Sequence, residues 1–247
     1  MSYTVAVRAL CEFSAKVGDL DLRFTPSPTA QEGIAGHRRV VARREVGYEA
    51  EVSLQGQYLS LQVRGRADGY DPARNRLEEI KTHRGDLARQ PANHRQLHWA
   101  QAKVYAWLLC QARQLPSIDV ALVYLDVDSD RQTLISEHYS AADLQLFFEV
   151  QCQRFLAWAQ AQEQRLQARD QGLQAMSFPY PQFRQGQRQL AETLYKAVST
   201  GRCLMAQAST GIGKTLGTLF PLLKAVVPQQ LDKVFFLTAK TPGRALA

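Results

Sequence analysis

Apolar and polar residues alternate along several stretches in the first third of the chain. This alternation is typical of half-exposed strands, and it predicts three of them, at Ala50–Leu54, Tyr58–Arg66 and Arg76–His83. Gly56 separates the first two strands, and the dipeptides Asp68-Gly69 and Asp71-Pro72 mark a turn before the third. The pattern therefore predicts consecutive strands of one sheet.

Helical periodicity and a second alternating region follow. The sequence predicts helices over residues 30–44 and 94–111, and the second of these carries an apolar stripe through Leu97, Val104 and Leu108. Strand-like runs at residues 117–127 and 131–139 form a predicted hairpin. Ser140 and Asp143 have the spacing of a capping box and open a long helix whose polar end we interpret as a linker.

The end of the chain has a different organisation. "CLMAQA" reads as a strand, "STGIGKT" as a glycine loop, "LGTLFPLLKAVV" as a helix and "KVFFLTAK" as a second strand. This order predicts the start of a βαβ unit and a second domain that is truncated at Ala247. The expected organisation is a first domain with its helical linker at residues 1–175 and a second region at residues 176–247.

Composition changes this picture only slightly. The 247 residues carry a net charge of +7, with charged residues of both signs throughout, which is compatible with nucleic acid but does not require it. The four cysteines form no C-x-x-C pair, which favours reduced thiols over a zinc site. Neither a secretion signal nor an apolar run of membrane-spanning length is evident, so we expect a cytoplasmic protein.

Three charged residues, Asp68, Glu79 and Lys81, form a candidate catalytic cluster. Side chains alternate along a strand, so Glu79 and Lys81 point to one face and Ile80 to the other, while Asp68 lies on the facing strand. Two carboxylates suit Mg2+ or Mn2+, and a neighbouring lysine can stabilise developing charge at a phosphate. An E-x-K triplet alone is common and more often belongs to a solvated strand.

The accompanying residues strengthen the catalytic interpretation. Gln101 and Tyr105 lie four apart on one helix face, and His37 is a candidate nitrogen ligand upstream. In order, G-x-x-x-H, G-x-x-D-G, E-x-K and Q-x-x-x-Y resemble the RecB-type branch of the PD-(D/E)XK nuclease superfamily over residues 3–149.

The resemblance implies a fold class and a set of roles. It implies an α/β restriction-endonuclease-like core, a mixed sheet flanked by helices, followed by an incomplete RecA-like segment. Metal ligation is implied for His37, Asp68, Glu79 and the Ile80 carbonyl, with Lys81 as the catalytic lysine and Gln101 and Tyr105 supporting the site. The cysteines do not reproduce the iron–sulfur spacing of several members, so we expect no cluster. His94 and His98 read as interfacial or DNA-contacting histidines more readily than as ligands.

The second constellation is a phosphate loop, "ASTGIGKT", with Ala208 where the pattern has its first glycine. Gly211 and Gly213 allow backbone N–H groups to surround phosphates, Lys214 reaches them, and Thr215 offers a hydroxyl to Mg2+. Upstream, Gln187 is a candidate reader of adenine, with Phe178 or Tyr180 packing on the base. Downstream, Thr238, Lys240 and Thr241 are candidate contacts to a nucleic-acid backbone.

This region resembles the first RecA-like domain of superfamily 2 helicases, closest to the XPD/DinG-like group, over residues 178–247. The leading hypothesis is therefore a Mg2+- or Mn2+-dependent deoxyribonuclease fused to the start of an ATP-binding helicase, acting on single-stranded DNA or free ends in repair. We expect neither unwinding nor ATP hydrolysis from this chain. Two alternatives stay open: a non-cleaving DNA-binding module that positions a helicase, and an unrelated P-loop protein.

Overall fold

The computed structural model describes residues 2–18 and 27–238. The chain divides into two compact units, an N-terminal unit (Met1–Ala159) and a C-terminal unit (Gln160–Ala247). The division falls inside one continuous helix of 35 residues, Ala141–Ala175, which runs without a break through the polar segment predicted to be a helical linker. Each unit is described separately below.

The N-terminal unit contains a sheet, the helices that cover it and a 3-10 turn at Leu87–Arg89. Its strands are β1 (Tyr3–Ala6), β2 (Glu49–Tyr58), β3 (Leu61–Asp71), β4 (Arg76–His83), β5 (Ser117–Asp126) and β6 (Gln132–Ser140). Its helices are α1 (Val7–Ser14), α2 (Ala30–Ala42), α3 (Ala92–Arg113) and the first part of α4 (Ala141–Ala175).

The sheet is mixed, with the order β1-β3-β4-β5-β6 and with β2 also paired to β3. The pairs β1–β3 and β4–β5 are parallel, whereas β2–β3, β3–β4 and β5–β6 are antiparallel. Strand β5 lies between β4 and β6, and its residues from Val120 to Leu125 are all buried, as expected for a strand covered on both faces.

The two faces of the sheet carry cores of unequal size. The larger core joins the sheet to α1, α3 and α4 and includes the buried thiols of Cys11, Cys110 and Cys152. The smaller core lies under α2, where Val40 packs with residues of β4 and β5 that include Ile80. Helices on both faces of a mixed sheet confirm the α/β class predicted for this part of the chain.

Two strand boundaries predicted from the sequence are wrong. Gly56 lies inside β2 rather than between two strands, because a Cβ there would meet Cδ2 of Leu108 at 2.5 Å, so glycine lets α3 approach the sheet. The break comes instead at Leu59, which has a φ of 50°. The first strand is therefore longer than Ala50–Leu54, and the second runs over Leu61–Asp71 rather than Tyr58–Arg66.

The predicted turn at Asp68-Gly69 is also wrong, because both residues belong to β3. A Cβ on Gly69 would lie 1.9 Å from the hydroxyl oxygen of Tyr48, so this glycine makes room for a tyrosine and does not turn the chain. The turn follows Asp71, and β4 then occupies the residues predicted, Arg76–His83. At both positions, Gly56 and Gly69, the glycine allows close packing and does not break the strand.

The C-terminal unit contains the rest of α4 and two further helices, α5 (Gln187–Ser199) and α6 (Lys214–Val226). The helix expected after the glycine loop is thus present. The strands predicted for "CLMAQA" and "KVFFLTAK" are not formed in the described part of this unit, which ends at residue 238. A strand requires a partner for its backbone N–H and C=O groups, and no described strand of this unit supplies one.

Side-chain exposure agrees with the absence of a sheet here. Met205 and Leu237, on the two segments predicted to be strands, are 100% and 91% exposed. Among the described residues, no helix is both long enough and apolar enough to cross a membrane.

Candidate active site

The candidate site forms where β3 and β4 stop pairing. The backbone ladder between these strands runs from Asp71↔Arg76 to Gly69↔Glu78 and ends there. One residue further along, the Asp68 carboxylate accepts a hydrogen bond of 2.7 Å from the backbone N–H of Ile80. This hydrogen bond from the backbone to the Asp68 carboxylate follows directly on the last backbone pair of the ladder. It holds Asp68 beside the E-x-K segment.

Lys81 lies at the centre of the cluster. Its ammonium donates to Oε1 of Glu79 at 2.6 Å and to Oε1 of Gln101 at 3.1 Å. Gln101 comes from α3, so one hydrogen bond joins the helix to the strand that carries both charged residues. The structure thus brings Lys81 together with Glu79 and Gln101, as the sequence predicts.

Tyr105 lies one turn further along α3 and contacts β3. A Cβ on Gly65 would come within 2.7 Å of the Tyr105 hydroxyl oxygen, so the glycine permits close approach of the ring to the strand. Burial raises the pKa of Tyr105, and the nearby carboxylates of Glu79 and Asp68 raise it further, so the phenol stays protonated. Tyr105 therefore borders the acidic residues as a neutral side chain.

His37 approaches from the opposite side, on α2. Its Nδ1 lies 3.5 Å from Oδ1 of Asp68, and the hydrogen bond with Asp68 raises the pKa of His37. The side chains of His37 and Asp68 are 38% and 22% exposed, so this edge of the cluster is open to solvent. The seven residues predicted for this site, including Ile80, therefore lie in one neighbourhood.

Burial dominates the electrostatics of the inner pair. Burial raises the pKa of Glu79, Asp68 raises it further, and Lys81 opposes the shift. Burial also works against the charge on Lys81, but the carboxylates of Glu79 and Asp68 outweigh it and raise the pKa of Lys81. The ammonium is therefore kept charged by the acidic residues that surround it.

The fit of this site to a divalent cation can be tested on its side chains. Within residues 2–18 and 27–238, no three His, Cys, Asp or Glu side chains stand in a ready-made metal-binding arrangement. However, Oε2 of Glu79 is buried without a hydrogen-bond partner, which is costly for a carboxylate oxygen. Carboxylate, carbonyl and imidazole donors are together suited to Mg2+ or Mn2+. The donor set therefore fits a divalent cation, which would give the buried Oε2 of Glu79 the partner that it lacks.

Sequence reasoning missed how the neighbours of the cluster are used. Glu78 points away from Glu79, is fully buried, and accepts hydrogen bonds from Arg44, Tyr48 and Arg76. Glu78 is thus a buried, ion-paired carboxylate one residue before the candidate site. The alternation of the strand signals this division, but the partners of Glu78 are remote in sequence.

Arg84, directly after β4, is engaged within the protein. It bonds Glu32 at 2.5 Å and Asp128 at 3.2 Å. These ion pairs account for its position at the end of β4.

The glycine loop of the C-terminal unit has the backbone that its sequence suggests. Gly211 and Gly213 have φ values of +85° and +80°, which favour glycine, and α6 begins at Lys214 directly after them. The Lys214 ammonium donates to the carbonyls of Ala208 and Ser209, at 3.2 and 2.8 Å. The lysine therefore lies across the loop it belongs to, and Thr215 follows in the first turn of α6.

The segment before α5 is attached to this loop. The Gln187 side chain donates to the carbonyl of Gly213 at 3.0 Å and accepts from the backbone N–H of Arg184, also at 3.0 Å. Gln187 is only 3% exposed, so its amide bonds the protein and not solvent. A cavity of about 790 Å3 lies between the segment before α5 and the glycine loop, and its lining includes Tyr180, Gln187 and Thr215.

The aromatic residues of the segment before α5 pack mainly on one another. The ring of Phe178 stacks on Phe183 with centroids 3.8 Å apart, which leaves Tyr180 as the aromatic residue at the cavity. Lys240 and Thr241, considered as nucleic-acid contacts, lie outside the described residues.

Comparisons with known proteins give limited matches. No protein-family model matches the chain. A Methanocaldococcus jannaschii protein described as a probable ATP-dependent helicase is 44% identical over 46 residues, which are 19% of this chain and 7% of that protein. The chain therefore spans a small fraction of the curated relative that it matches.

Two solved structures have a partial likeness to the chain. One, titled as the crystal structure of SSO0001, has a TM-score of 0.39 and 21% identity over 62% of this chain and 77% of its own. The other, a phage-related exonuclease from Haemophilus somnus 129PT, has a TM-score of 0.40 and 10% identity over 62% of this chain and 92% of its own.

Proposed function

We propose that residues 1–175 form a metal-dependent deoxyribonuclease that hydrolyses phosphodiester bonds in DNA. The observation that carries this proposal is the meeting of Asp68, Glu79 and Lys81 at the point where β3 and β4 separate. A binding surface has no need for a buried carboxylate oxygen without a partner beside a charged lysine. A hydrolytic site needs both groups, because it must hold a cation and stabilise a phosphate.

Each side chain has a role that follows from its position. Asp68, Glu79, His37 and the Ile80 carbonyl would hold the divalent ion, which when bound supplies a Lewis acid and lowers the pKa of a bound water. Lys81 presents its ammonium to the phosphate oxygens and can orient the attacking water. Gln101 positions Lys81 through their 3.1 Å hydrogen bond, and Tyr105 contributes a neutral hydroxyl at the β3 side of the cluster.

A cleavage assay of metals against variants tests the proposal. The full chain is incubated with labelled single-stranded and duplex DNA in EDTA, Mg2+ or Mn2+, without ATP. We expect products only with metal, and loss of products in Asp68→Ala, Glu79→Ala and Lys81→Ala. The matched control is Glu137→Ala, which removes an exposed carboxylate of β6 and should cut like the wild type.

The outcomes separate the proposal from its alternative. DNA retention without products in any metal would favour a non-cleaving module that positions a helicase, and would contradict the nuclease. If His37 supplies a nitrogen ligand, Mn2+ should support faster cutting than Mg2+. Equal rates in the two metals would count against His37 as a ligand but not against the nuclease.

We also propose that residues 176–247 are the opening of a RecA-like helicase domain that binds ATP in the parent protein, which would act in DNA repair or end processing. Support comes from the loop glycines, from Lys214 at the start of α6, and from the cavity beside Thr215. The similarity to a probable ATP-dependent helicase over 46 residues points the same way. Binding of a fluorescent ATP analogue tests it, and equal binding by wild type and Lys214→Ala would contradict it.

A further inference from the structure

Helix α3 carries a polar stripe that is longer than the Q-x-x-x-Y motif. His94, His98, Gln101 and Tyr105 follow one another at intervals of four, three and four residues, which places them on one face of the helix. The last two belong to the proposed catalytic cluster, and Gln101 bonds Lys81. The stripe therefore continues for about two turns beyond the proposed reaction centre.

The first part of this stripe lines a cavity that the catalytic proposal does not use. The cavity has a volume of about 470 Å3, lies between α1 and α3, and is lined by Arg8, Lys16, His94 and His98 together with Lys81 and Gln101. It is thus continuous with the reaction centre through two shared side chains. Most of the side chains that line this cavity carry nitrogen atoms.

The charge of this cavity favours an anion. Glu12 is the acidic residue among the described residues that line it, and Arg8 pairs with Glu12 at 2.7 Å, so that carboxylate is already neutralised. Lys16 adds positive charge, and the Lys81 ammonium pairs with Glu79 at 2.6 Å. A phosphate group placed here would meet donors and cations and no free carboxylate.

His98 is held so that it presents an N–H group. Tyr124 lies beside Lys81 in the β4–β5 register, and its hydroxyl is 2.9 Å from Nδ1 of His98. This hydroxyl can donate its proton to Nδ1. With the hydroxyl as donor, the neutral ring carries its own proton on Nε2, an atom that no residue in the described part of the chain binds. Burial lowers the pKa of His98 to about 3, so the ring stays neutral.

We propose that the cavity between α1 and α3 binds the phosphate that neighbours the cleaved phosphodiester in a nucleic-acid strand, with Nε2–H of His98 as a donor and Lys16 as a cation. The proposal rests on the proposed nuclease, because it takes its position from Lys81. It identifies the substrate as a strand whose backbone is held at two successive phosphates. A phosphate bound at Lys81 alone would leave His94 and His98 of the stripe without a proposed role.

The first test measures binding and needs no cleavage. Fluorescence anisotropy in EDTA and in Ca2+ gives the affinity of the full chain for a labelled single-stranded oligonucleotide over a range of salt. We expect His98→Ala to weaken binding about five- to tenfold with an unchanged salt dependence, because a neutral donor releases no counterion. Lys16→Ala should reduce the slope of log K against log salt by about 0.7. His138→Ala, at an exposed histidine of β6, should match the wild type.

The second test locates the phosphate by cleavage. Oligonucleotides carry one neutral methylphosphonate, moved stepwise along the strand, and rates are measured in Mn2+. At one position next to the cleaved bond the wild type should slow about tenfold, whereas the double variant His98→Ala, Lys16→Ala, already slow, should change less than twofold there. Equal responses of the wild type and the double variant at every position would overturn the proposal, even if both cut DNA.

Further arms identify the source of the phosphate and guard against misfolding. Substrates with a 5′-phosphate or a 5′-hydroxyl distinguish a terminal monoester from an internal diester, because only a site for the terminal group responds to its removal. Tyr124→Phe keeps the ring but removes the hydroxyl that orients His98, and it should reproduce part of the His98→Ala loss without adding to it. Additive losses in the double variant would contradict the assigned network. If the binding arm succeeds and no DNA is cut, the nuclease fails while the phosphate site stands.

Discussion

The two candidate sites of this chain are built in opposite ways. The cluster around Lys81 draws its residues from α2, β3, β4 and α3, which lie up to 68 positions apart from His37 to Tyr105. The loop around Lys214 uses consecutive residues whose backbone conformation is local, with positive φ at Gly211 and Gly213. The first site exists only if the sheet forms in its correct register, whereas the second requires a short loop and the start of one helix.

This difference determines what each site depends on. The N-terminal cluster is coupled to packing, because Gly65 and Gly69 admit Tyr105 and Tyr48 against the sheet. The C-terminal loop is coupled through Gln187 to the segment before α5, although the described residues of the two segments predicted as strands are not paired. Disturbing the sheet should therefore remove one activity and spare the other.

The largest expected effect separates two adjacent glutamates. Glu79→Ala should reduce DNA cleavage at least about a thousandfold, because it removes a proposed metal ligand and the partner of Lys81. Glu78→Ala should instead lower the free energy of unfolding by about 3–5 kcal/mol, since it leaves Arg44 and Arg76 without their buried carboxylate.

Cleavage rates and thermal unfolding of both variants check this pair. A Glu79→Ala variant that still cuts DNA at the wild-type rate, or a Glu78→Ala variant of unchanged stability, would break the distinction between the two faces of β4.

Lys214→Ala should affect only the C-terminal unit. Because this lysine is the proposed phosphate-binding cation of the loop, we expect binding of an ATP analogue to fall about a hundredfold. DNA cleavage in Mn2+ without ATP should be unchanged, since the proposed nuclease residues all belong to the N-terminal unit. Parallel titrations and cleavage assays on one preparation test it, and Lys196→Ala, on α5, is the control.

Gly69→Ala should have the reverse selectivity. The added Cβ would meet the Tyr48 hydroxyl at 1.9 Å and displace it from Glu78, which it bonds at 3.1 Å. Overpacking of this kind costs about 2–3 kcal/mol. We expect a lower unfolding temperature and weaker cleavage with unaltered nucleotide binding. Gly85→Ala lies at a site with open space but positive φ, and it separates steric from backbone effects.

The smallest effect is a pH dependence of stability from His98. Its pKa is about 3 in the folded protein against an ordinary 6.5, so between these values the unfolded chain binds more protons. The free energy of unfolding should therefore fall as pH decreases below 6.5, by about 1 kcal/mol near pH 5.5. Denaturant titrations of wild type and His98→Asn at several pH values measure it. Identical slopes in the two proteins would contradict a histidine that stays neutral in the folded state.

Much of the N-terminal unit follows from local patterns in the sequence. β4 has the boundaries that alternation predicts, and Ser140 caps the long helix, since its side chain accepts a hydrogen bond of 3.1 Å from the backbone N–H of Asp143. The errors arose at Gly56 and Gly69, where glycine was interpreted as a break. Glycine is needed at these two positions because Leu108 and Tyr48 pack against them. A local sequence pattern does not indicate a contact with a distant segment.

The residue types of the candidate site were determined by the sequence alone, because spacing along a strand and a helix places Glu79 with Lys81 and Gln101 with Tyr105. The loop glycines before Lys214 were equally legible, since their conformation is local. Only the tertiary structure decided that β3 and β4 part at Asp68, that Glu79 keeps one oxygen buried without a partner, and that Tyr124 orients His98. These features depend on strand register and on burial, which arise when remote segments pack together and which no short stretch of sequence contains.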